Sequence, residues 1–266
     1  KNISGYSGPF KRDGQTIMTH KISLALLMFG VLSAQIPESL FEDGNRAMGD
    51  GNYTDGIQAY ESILELGFEN GDLYYNLGNA YYRIHSIGLA AWSYYNALSM
   101  KPRDKDIYHN LQVTQARQVD RIEMPEPFIL LDIYRRAKGS FTFRELIFLG
   151  SCLLLIEASL VFCIQFGWFA GSFYQHIVTL LVIVTLGVHG IAIDKYFQNK
   201  RSHFGVITAN GVNAYSGPYY GENTILFRIN EGIRMEIQQT QENWIEIILI
   251  DGKKGWVPTE SMRRLR

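Results

Sequence analysis

Cysteine is almost missing from this chain. Cys152 and Cys163 occur inside its most apolar stretch. That placement argues against a disulfide framework, and the two thiols read as inert groups facing lipid or a neighbouring helix. An excess of charge is missing too. The formal net charge is −1 over 266 residues, without the basic stripe of nucleic-acid-binding proteins, so no nucleic-acid partner is assigned. The six histidines are scattered at spacings that fit neither H-E-x-x-H nor a His/Cys zinc pattern. No G-x-S-x-G elbow, Walker loop or dinucleotide fingerprint appears. No catalytic residue, metal ligand or cofactor is assigned, and the chain reads as a non-enzyme.

The residues that are abundant are distributed unevenly. Tyr clusters over 53–108, Leu, Ile and Phe over 141–193, and Gly and Trp near the end. Three compositions in succession imply three kinds of structure.

Residues 1–17 are polar and without pattern, and Met18 is the first methionine. Lys21, the apolar run Ile22 to Leu32 and the small pair Ser33-Ala34 follow. A short basic flank, a short apolar core and small residues at a cut site describe a secretory signal peptide over 18–34. The run is short for a bilayer span. Met18 is the expected start, and cleavage is expected between Ala34 and Gln35.

Residues 35–120 align with themselves at an offset of 34 residues. Gly44-Asn45 meets Gly78-Asn79, Tyr60 meets Tyr94, and Asn76-Leu77 meets Asn110-Leu111. That period is the tetratricopeptide signature, one helix–turn–helix per unit. In Tyr74-Tyr75-Asn76-Leu77-Gly78-Asn79-Ala80-Tyr81, small Gly78 lets the second helix approach the first. Ala90 and Ala97 supply matching small surfaces around Tyr94, and Pro102 ends the helix. Lys105 to about Val119 reads as a lone capping helix. By resemblance to such repeats, a concave peptide groove would be lined by Asn45, Tyr75, Asn79, Tyr82, Arg83 and Asn110. Phe41 and Asp106 stand where a carboxylate-clamping subclass carries Lys, so an apolar or mixed peptide is expected there. In the competing reading, Tyr75 and Tyr82 simply shield the superhelix.

Residues 121–142 form a proline-broken linker. Pro125 and Pro127 precede Ile129-Leu130-Leu131 and then Arg135, Arg136 and Lys138. It reads as a tether, or as an amphipathic stretch on a membrane surface. Two transmembrane helices are expected over 143–168 and 176–194, joined as a hairpin. Glu157 lies deep in the first. A central acid costs about 3 kcal/mol, while each of the thirteen Leu, Ile, Val and Phe residues from Leu146 to Phe166 returns about 0.3–0.6 kcal/mol, so insertion wins. Trp168, Phe169, Phe173 and Tyr174 mark an interfacial belt. Glu157 and His189 are the intramembrane polar groups, and such groups are functional candidates. They would pair across the hairpin, meet a partner helix, or in a third reading serve an ion or proton path.

The orientation signals conflict. The export signal puts both soluble parts in the periplasm of an inner-membrane protein. Arg135, Arg136, Lys138 and Arg144 before the hairpin, and Lys195, Lys200 and Arg201 after it, point to the cytoplasm by the positive-inside rule. The export signal is given precedence because the first segment usually sets orientation.

Residues 202–266 read as short strands. Ile245-Glu246-Ile247 alternates, and Asp251-Gly252 is a hairpin turn signal. Val212-Asn213-Ala214-Tyr215-Ser216-Gly217-Pro218, Glu231-Gly232, Asn243-Trp244 and Gly255-Trp256-Val257-Pro258 together resemble a bacterial SH3 domain, which implies an all-β SH3-like barrel. Its ligand cleft would draw on Tyr215, Tyr219, Tyr220, Trp244 and Trp256. Alternatively the two tryptophans fill the barrel core.

Export signal, tetratricopeptide solenoid, two-helix transmembrane hairpin and SH3-like barrel, in that order, resemble the Bat proteins of bacterial aerotolerance operons, in particular the E-type (BatE-like) branch. The resemblance covers residues 18–266. It implies a membrane-anchored interaction scaffold of the bacterial envelope, tied to stress tolerance. The implied partners are membrane lipid and other membrane proteins, including Bat proteins with von Willebrand A domains. The alternative is a cell-wall sensor or tether whose SH3-like domain binds peptidoglycan.

Overall fold

The computed structural model describes residues 37–120, 128–169, 171–201 and 204–266. The expected signal peptide and the prolines Pro125 and Pro127 lie outside them. The chain divides into two compact units, one ending at Phe68 and the other running from Glu69 to Arg266.

In the first unit, residues 37–49 form helix α1 and Tyr53–Glu65 form α2. The two cross where α1 is smallest. A Cβ on Gly44 would lie 2.5 Å from the Tyr60 ring, and Tyr60 donates its hydroxyl to Asn45 Oδ1 at 2.7 Å. The Phe41 and Tyr60 ring centroids are 5.8 Å apart.

The second unit opens with α3 (Gly71–Arg83), α4 (Ile87–Met100) and α5 (Lys105–Ala116). Asn70 caps α3 by accepting from Leu73 N, and Asp104 caps α5 by accepting from Asp106 N and Ile107 N, which satisfies donors that a helix start leaves open. The contact set of the first unit recurs here with each partner moved by 34 positions. A Cβ on Gly78 would lie 2.7 Å from the Tyr94 ring, Tyr94 donates to Asn79 Oδ1 at 2.7 Å, and Tyr75 packs on Tyr94 at 6.2 Å.

The stretch read as a tether is partly a helix. Ile129–Ser140 forms α6, and its polar side is tied to the helix that follows the hairpin turn. Thr142 and Glu145 then make a reciprocal capping box that starts α7 (Phe143–Gln165). Helix α8 (Ser172–Arg201) runs back along it, starting earlier and ending later than the expected 176–194. Both helices are long and apolar enough to cross a membrane, and only 11% of each apolar window is buried within the chain. Most of their apolar surface is thus left uncovered by the described chain. At the turn, Phe169 stacks on Tyr174 at 4.9 Å.

The C-terminal residues form one antiparallel sheet of seven strands: β1 (Phe204–Ile207), β2 (Val212–Tyr215), β3 (Ile225–Ile229), β4 (Arg234–Gln241), β5 (Trp244–Ile248), β6 (Lys254–Pro258) and β7 (Met262–Arg264). Their order is β3-β2-β6-β5-β4-β1-β7. The expected closed barrel is not formed by the ladder: β3 and β7 are edges. The Asp251-Gly252 turn joins β5 to β6 with Gly252 at φ 87°, a value L residues rarely adopt. Val206, Ile207, Ala214, Ile229, Met235, Ile245, Ile247 and Val257 are buried in its core.

Helix α4 also packs against β1. Trp92 Nε1 donates to the carbonyl of Arg264 at 2.7 Å, Gly88 N donates to Glu231 Oε2 at 2.7 Å, and Asn96 Oδ1 accepts from Arg266 N at 2.8 Å. From the end of the helical region, Gln118 Nε2 reaches the carbonyl of Gly232 at 2.7 Å, and Asp120 accepts from Asn230 N at 2.6 Å. Tight apposition accounts for the small residue at position 88: a Cβ there would lie 2.7 Å from the Ile207 carbonyl oxygen. Within the second unit, α4 and the residues just after α5 are thus in contact with the sheet that follows α8.

Candidate ligand-binding site

The period of two in the C-terminal strands separates two sets of side chains. On β5, Ile245 and Ile247 enter the main core while Trp244 does not; on β6, Val257 enters it while Trp256 does not. On β2, Ala214 enters and Tyr215 does not, at a point where the register shifts between the two. The three aromatics left over meet one another. Tyr215 pairs with Trp256 across the β2–β6 ladder, and the Tyr215 and Trp244 rings stand edge to face with centroids 5.5 Å apart. This is a second, aromatic cluster apart from the aliphatic core.

Tyr220 closes over that cluster. Its ring lies 4.7 Å from Trp244 and 5.6 Å from Tyr215, yet it is 69% exposed. Edge-to-face aromatic packing of this kind contributes about 0.5–1.5 kcal/mol per pair beyond area burial. Beside it lies an open cleft of about 480 Å³, lined by Asn210, Asn213, Tyr215, Pro258, Glu260 and Ser261 among others. Tyr215 is shared by the cluster and the cleft. An apolar ring wall with amide, hydroxyl and carboxylate groups around it suits an extended, partly polar chain rather than a compact apolar ligand.

Residues 208–263 match the family model described as Bacterial SH3 domain. No curated protein matches the chain. The SH3-like segment includes both the aromatic cluster and the whole cleft. The elements that meet the helical region, β1 (which precedes the matched segment), β7, the turn at Glu231-Gly232 and Arg234 of β4, are distinct from the strands that carry the cluster, and Tyr220 stays exposed.

Of the five SH3-like residues expected in one cleft, Tyr215, Trp244 and Trp256 come together with Tyr220 over them. Tyr219 does not join their ring contacts; it is exposed and turns back over Gly217, where a Cβ would lie 2.4 Å from its ring. The tryptophans are buried, but in their own cluster and not in the aliphatic core. Pro258, Glu260 and Asn210 were missed as cleft residues. Pro258 in Gly255-Trp256-Val257-Pro258 was the available signal, since a Pro cannot donate to the ladder and so marks the end of a strand, here opposite Trp244.

The expected groove residues of the helical region hold the helices together. Asn79 Oδ1 accepts from both Tyr94 Oη and Asn110 Nδ2, the latter at 2.9 Å, and Asn110 Nδ2 also approaches the Tyr75 hydroxyl at 3.4 Å. Burial pushes the Tyr94 phenol well above its ordinary value, so it stays a neutral donor. The Arg117 guanidinium sits 4.5 Å over the Tyr82 ring. Arg83 is exposed, and Asn45 is bonded to Tyr60 within the first unit.

In the helical hairpin, Glu157 and His189 do not pair with each other. Glu157 Oε1 accepts from the Thr185 hydroxyl, and Glu157 is 9% exposed. His189 Nδ1 lies 2.8 Å from the Thr185 carbonyl oxygen, and its ring fills the space above Gly150, where a Cβ would lie 2.6 Å from the imidazole. Among the described residues, no three His, Cys, Asp or Glu side chains converge on a metal-sized site.

Proposed function

We propose that the chain is a membrane-anchored interaction scaffold of the bacterial envelope. In this reading α7 and α8 cross the bilayer as a hairpin, tetratricopeptide-like helices α1–α5 and the SH3-like domain lie on one side, and neither part is catalytic. The observation that carries it is the docking of α4 onto β1 and β7. Two spans connected as a hairpin return the chain to the side it left, and contact between the flanking parts is possible only then. The recurrence of the Gly–Tyr–Asn contact set at 34 positions supports the tetratricopeptide reading.

Docking also favours a scaffold over a loosely tethered wall sensor. A tethered sensor gains reach from a free linker, whereas this domain is held by hydrogen bonds to α4 and to Gln118 and Asp120 just after α5. Tyr215 and Tyr220 would be the ring wall against which a partner's extended segment lies. By the resemblance to Bat proteins, partners bearing von Willebrand A domains in an aerotolerance complex, and a periplasmic orientation, complete the proposal. Capture of the detergent-solubilised full chain from native membranes tests it. Recovery of other membrane proteins that is lost with Tyr220→Ala supports the scaffold.

The match to the Bacterial SH3 domain model favours a second reading, in which the same cleft takes cell-wall peptides. Co-sedimentation of the solubilised full chain with purified sacculi separates the two. A scaffold stays in the supernatant, and a wall-binding protein pellets.

A further inference from the structure

Helix α6 presents an apolar stripe over which no part of the described chain lies. Ile129 and Leu130 are 73% and 68% exposed, and Phe128 and Ile133 are exposed with them. At 100° per residue, Ile129, Ile133, Ala137 and Leu130 fall within roughly a quarter of the helix circumference. The neighbouring sector is tied to α8. Tyr134 and Lys138 both donate to Asp194 Oδ2, and Lys195 Nζ donates to the carbonyls of Lys138, at 3.0 Å, and Phe141. The remaining sector is charged, with Arg136 paired to Asp132 at 2.8 Å and Arg135 exposed.

We propose that α6 is an interfacial helix whose apolar stripe lies in the headgroup–acyl boundary of the bilayer that holds α7 and α8. The proposal rests on the membrane-spanning reading of that hairpin. Two features identify lipid as the occupant. First, the clamp on Asp194 and Lys195 holds α6 beside the point where the apolar run of α8 gives way to charge, the level at which headgroups sit. Second, the charge order fits: apolar residues on one face, Arg135 on another, as in helices that bury their apolar side roughly 5–10 Å into the boundary. A second protein is a poorer occupant. One face of a twelve-residue helix, roughly 18 Å long, is small against the roughly 800 Å² per partner of a standard interface.

The test places an environment-sensitive fluorophore on single cysteines in a full-length Cys152→Ala/Cys163→Ala background, reconstituted in vesicles of phosphatidylcholine and phosphatidylglycerol. Leu130→Cys reports the stripe, Arg135→Cys the charged face, and Leu155→Cys the middle of α7. The expected result is quenching of the Leu130 label by a shallow lipid nitroxide with most of its iodide quenching lost, and the reverse for the Arg135 label. The Leu155 label should respond only to a deep nitroxide. If the Leu130 label is as open to iodide as the Arg135 label, or shielded from iodide and nitroxide alike, α6 is not in lipid, while a deep Leu155 label leaves the hairpin standing. An iodide-accessible Leu155 label overturns the spanning hairpin itself, and the interfacial helix with it.

Discussion

Trp92 and Arg264, at opposite ends of the second unit's sequence, are joined by a 2.7 Å hydrogen bond from the indole N–H to the main-chain carbonyl. The Arg263 guanidinium lies 4.8 Å over the same ring, and Tyr95, one turn's width away on α4, sits 5.3 Å beneath Arg234. A single helix face therefore reads β7 and β4 together. Burial pushes the Tyr95 phenol up from its ordinary value, so that face stays uncharged at physiological pH, and its attraction for the two arginines is one of ring faces and neutral donors.

Trp92→Phe keeps most of the buried ring and removes the N–H donor. The Arg264 carbonyl then has to find another donor, at a cost of about 0.5–1.5 kcal/mol. Native-state hydrogen exchange is expected to speed up in β7 and in α4, with β2 and β3 unchanged. Uniform exchange across all seven strands would mean that the bond does not hold the module to the helix.

Gly78→Ala and Gly88→Ala separate the two faces of helical packing. At Gly78 the new methyl meets the Tyr94 ring, which can tilt; at Gly88 it meets the Ile207 carbonyl oxygen and Thr208 Cα at 2.7 and 2.8 Å, which cannot turn aside. Each substitution is expected to cost about 1–3 kcal/mol. The Gly88 variant should melt in two steps, sheet apart from helices, while the Gly78 variant lowers a single helical transition. A single transition in the Gly88 variant like that of the Gly78 variant would show that the sheet and α4 still unfold as one unit and that the Gly88 contact is not what joins them.

Part of this architecture was legible in the residues. The offset of 34 aligned Gly44 with Gly78 and Tyr60 with Tyr94, and small Gly78 was read as the point of helix approach. That each glycine lies against the tyrosine sixteen residues on was not read, Tyr94 having been placed between Ala90 and Ala97. The alternation in Ile245-Glu246-Ile247 located β5. The docking face was not read, although α4 carries its signal: Ile87–Met100 has no charged residue, and a helix with one wet face would carry some. What cannot be read locally is which surface it meets, since Trp92 and Arg264 are brought together by the whole intervening fold. The asparagines were assigned to a ligand groove by resemblance, but spacing alone does not distinguish an Asn that awaits a peptide from one spent on Tyr60 or Tyr94. The open edges at β3 and β7 were likewise invisible, because strand composition does not say whether a ladder closes.

Thr185→Val tests the polar contact in the hairpin. It removes the hydroxyl at nearly constant volume and leaves the Glu157 carboxyl, buried between α7 and α8, without the donor seen there. Hairpin stability in mixed micelles is expected to fall by about 1–2 kcal/mol, the range of hydrogen bonds between membrane helices. Glu157→Leu combined with Thr185→Val should recover most of it, because replacing both partners by apolar groups can be nearly neutral. A double variant that is stable yet inactive would move Glu157 from a packing role to a conducting one.

The two aromatic layers of the SH3-like domain predict different kinds of damage. Trp244 is part of the buried cluster with Tyr215 and Trp256, so Trp244→Ala is expected to cost about 3–5 kcal/mol, the range for deleting a buried aromatic. Tyr220 touches the same rings from the wet side. Tyr220→Ala should therefore leave the melting temperature of the full chain within a few degrees, while weakening capture of its partner, or of sacculi, by about tenfold or more, as for an interface hot spot. Measuring both quantities on both variants separates floor from contact surface. If Tyr220→Ala melts as early as Trp244→Ala, the ring is a structural cover. If it melts normally and binds normally, the ligand approaches from the Pro258–Glu260 side of the cleft and does not use the ring.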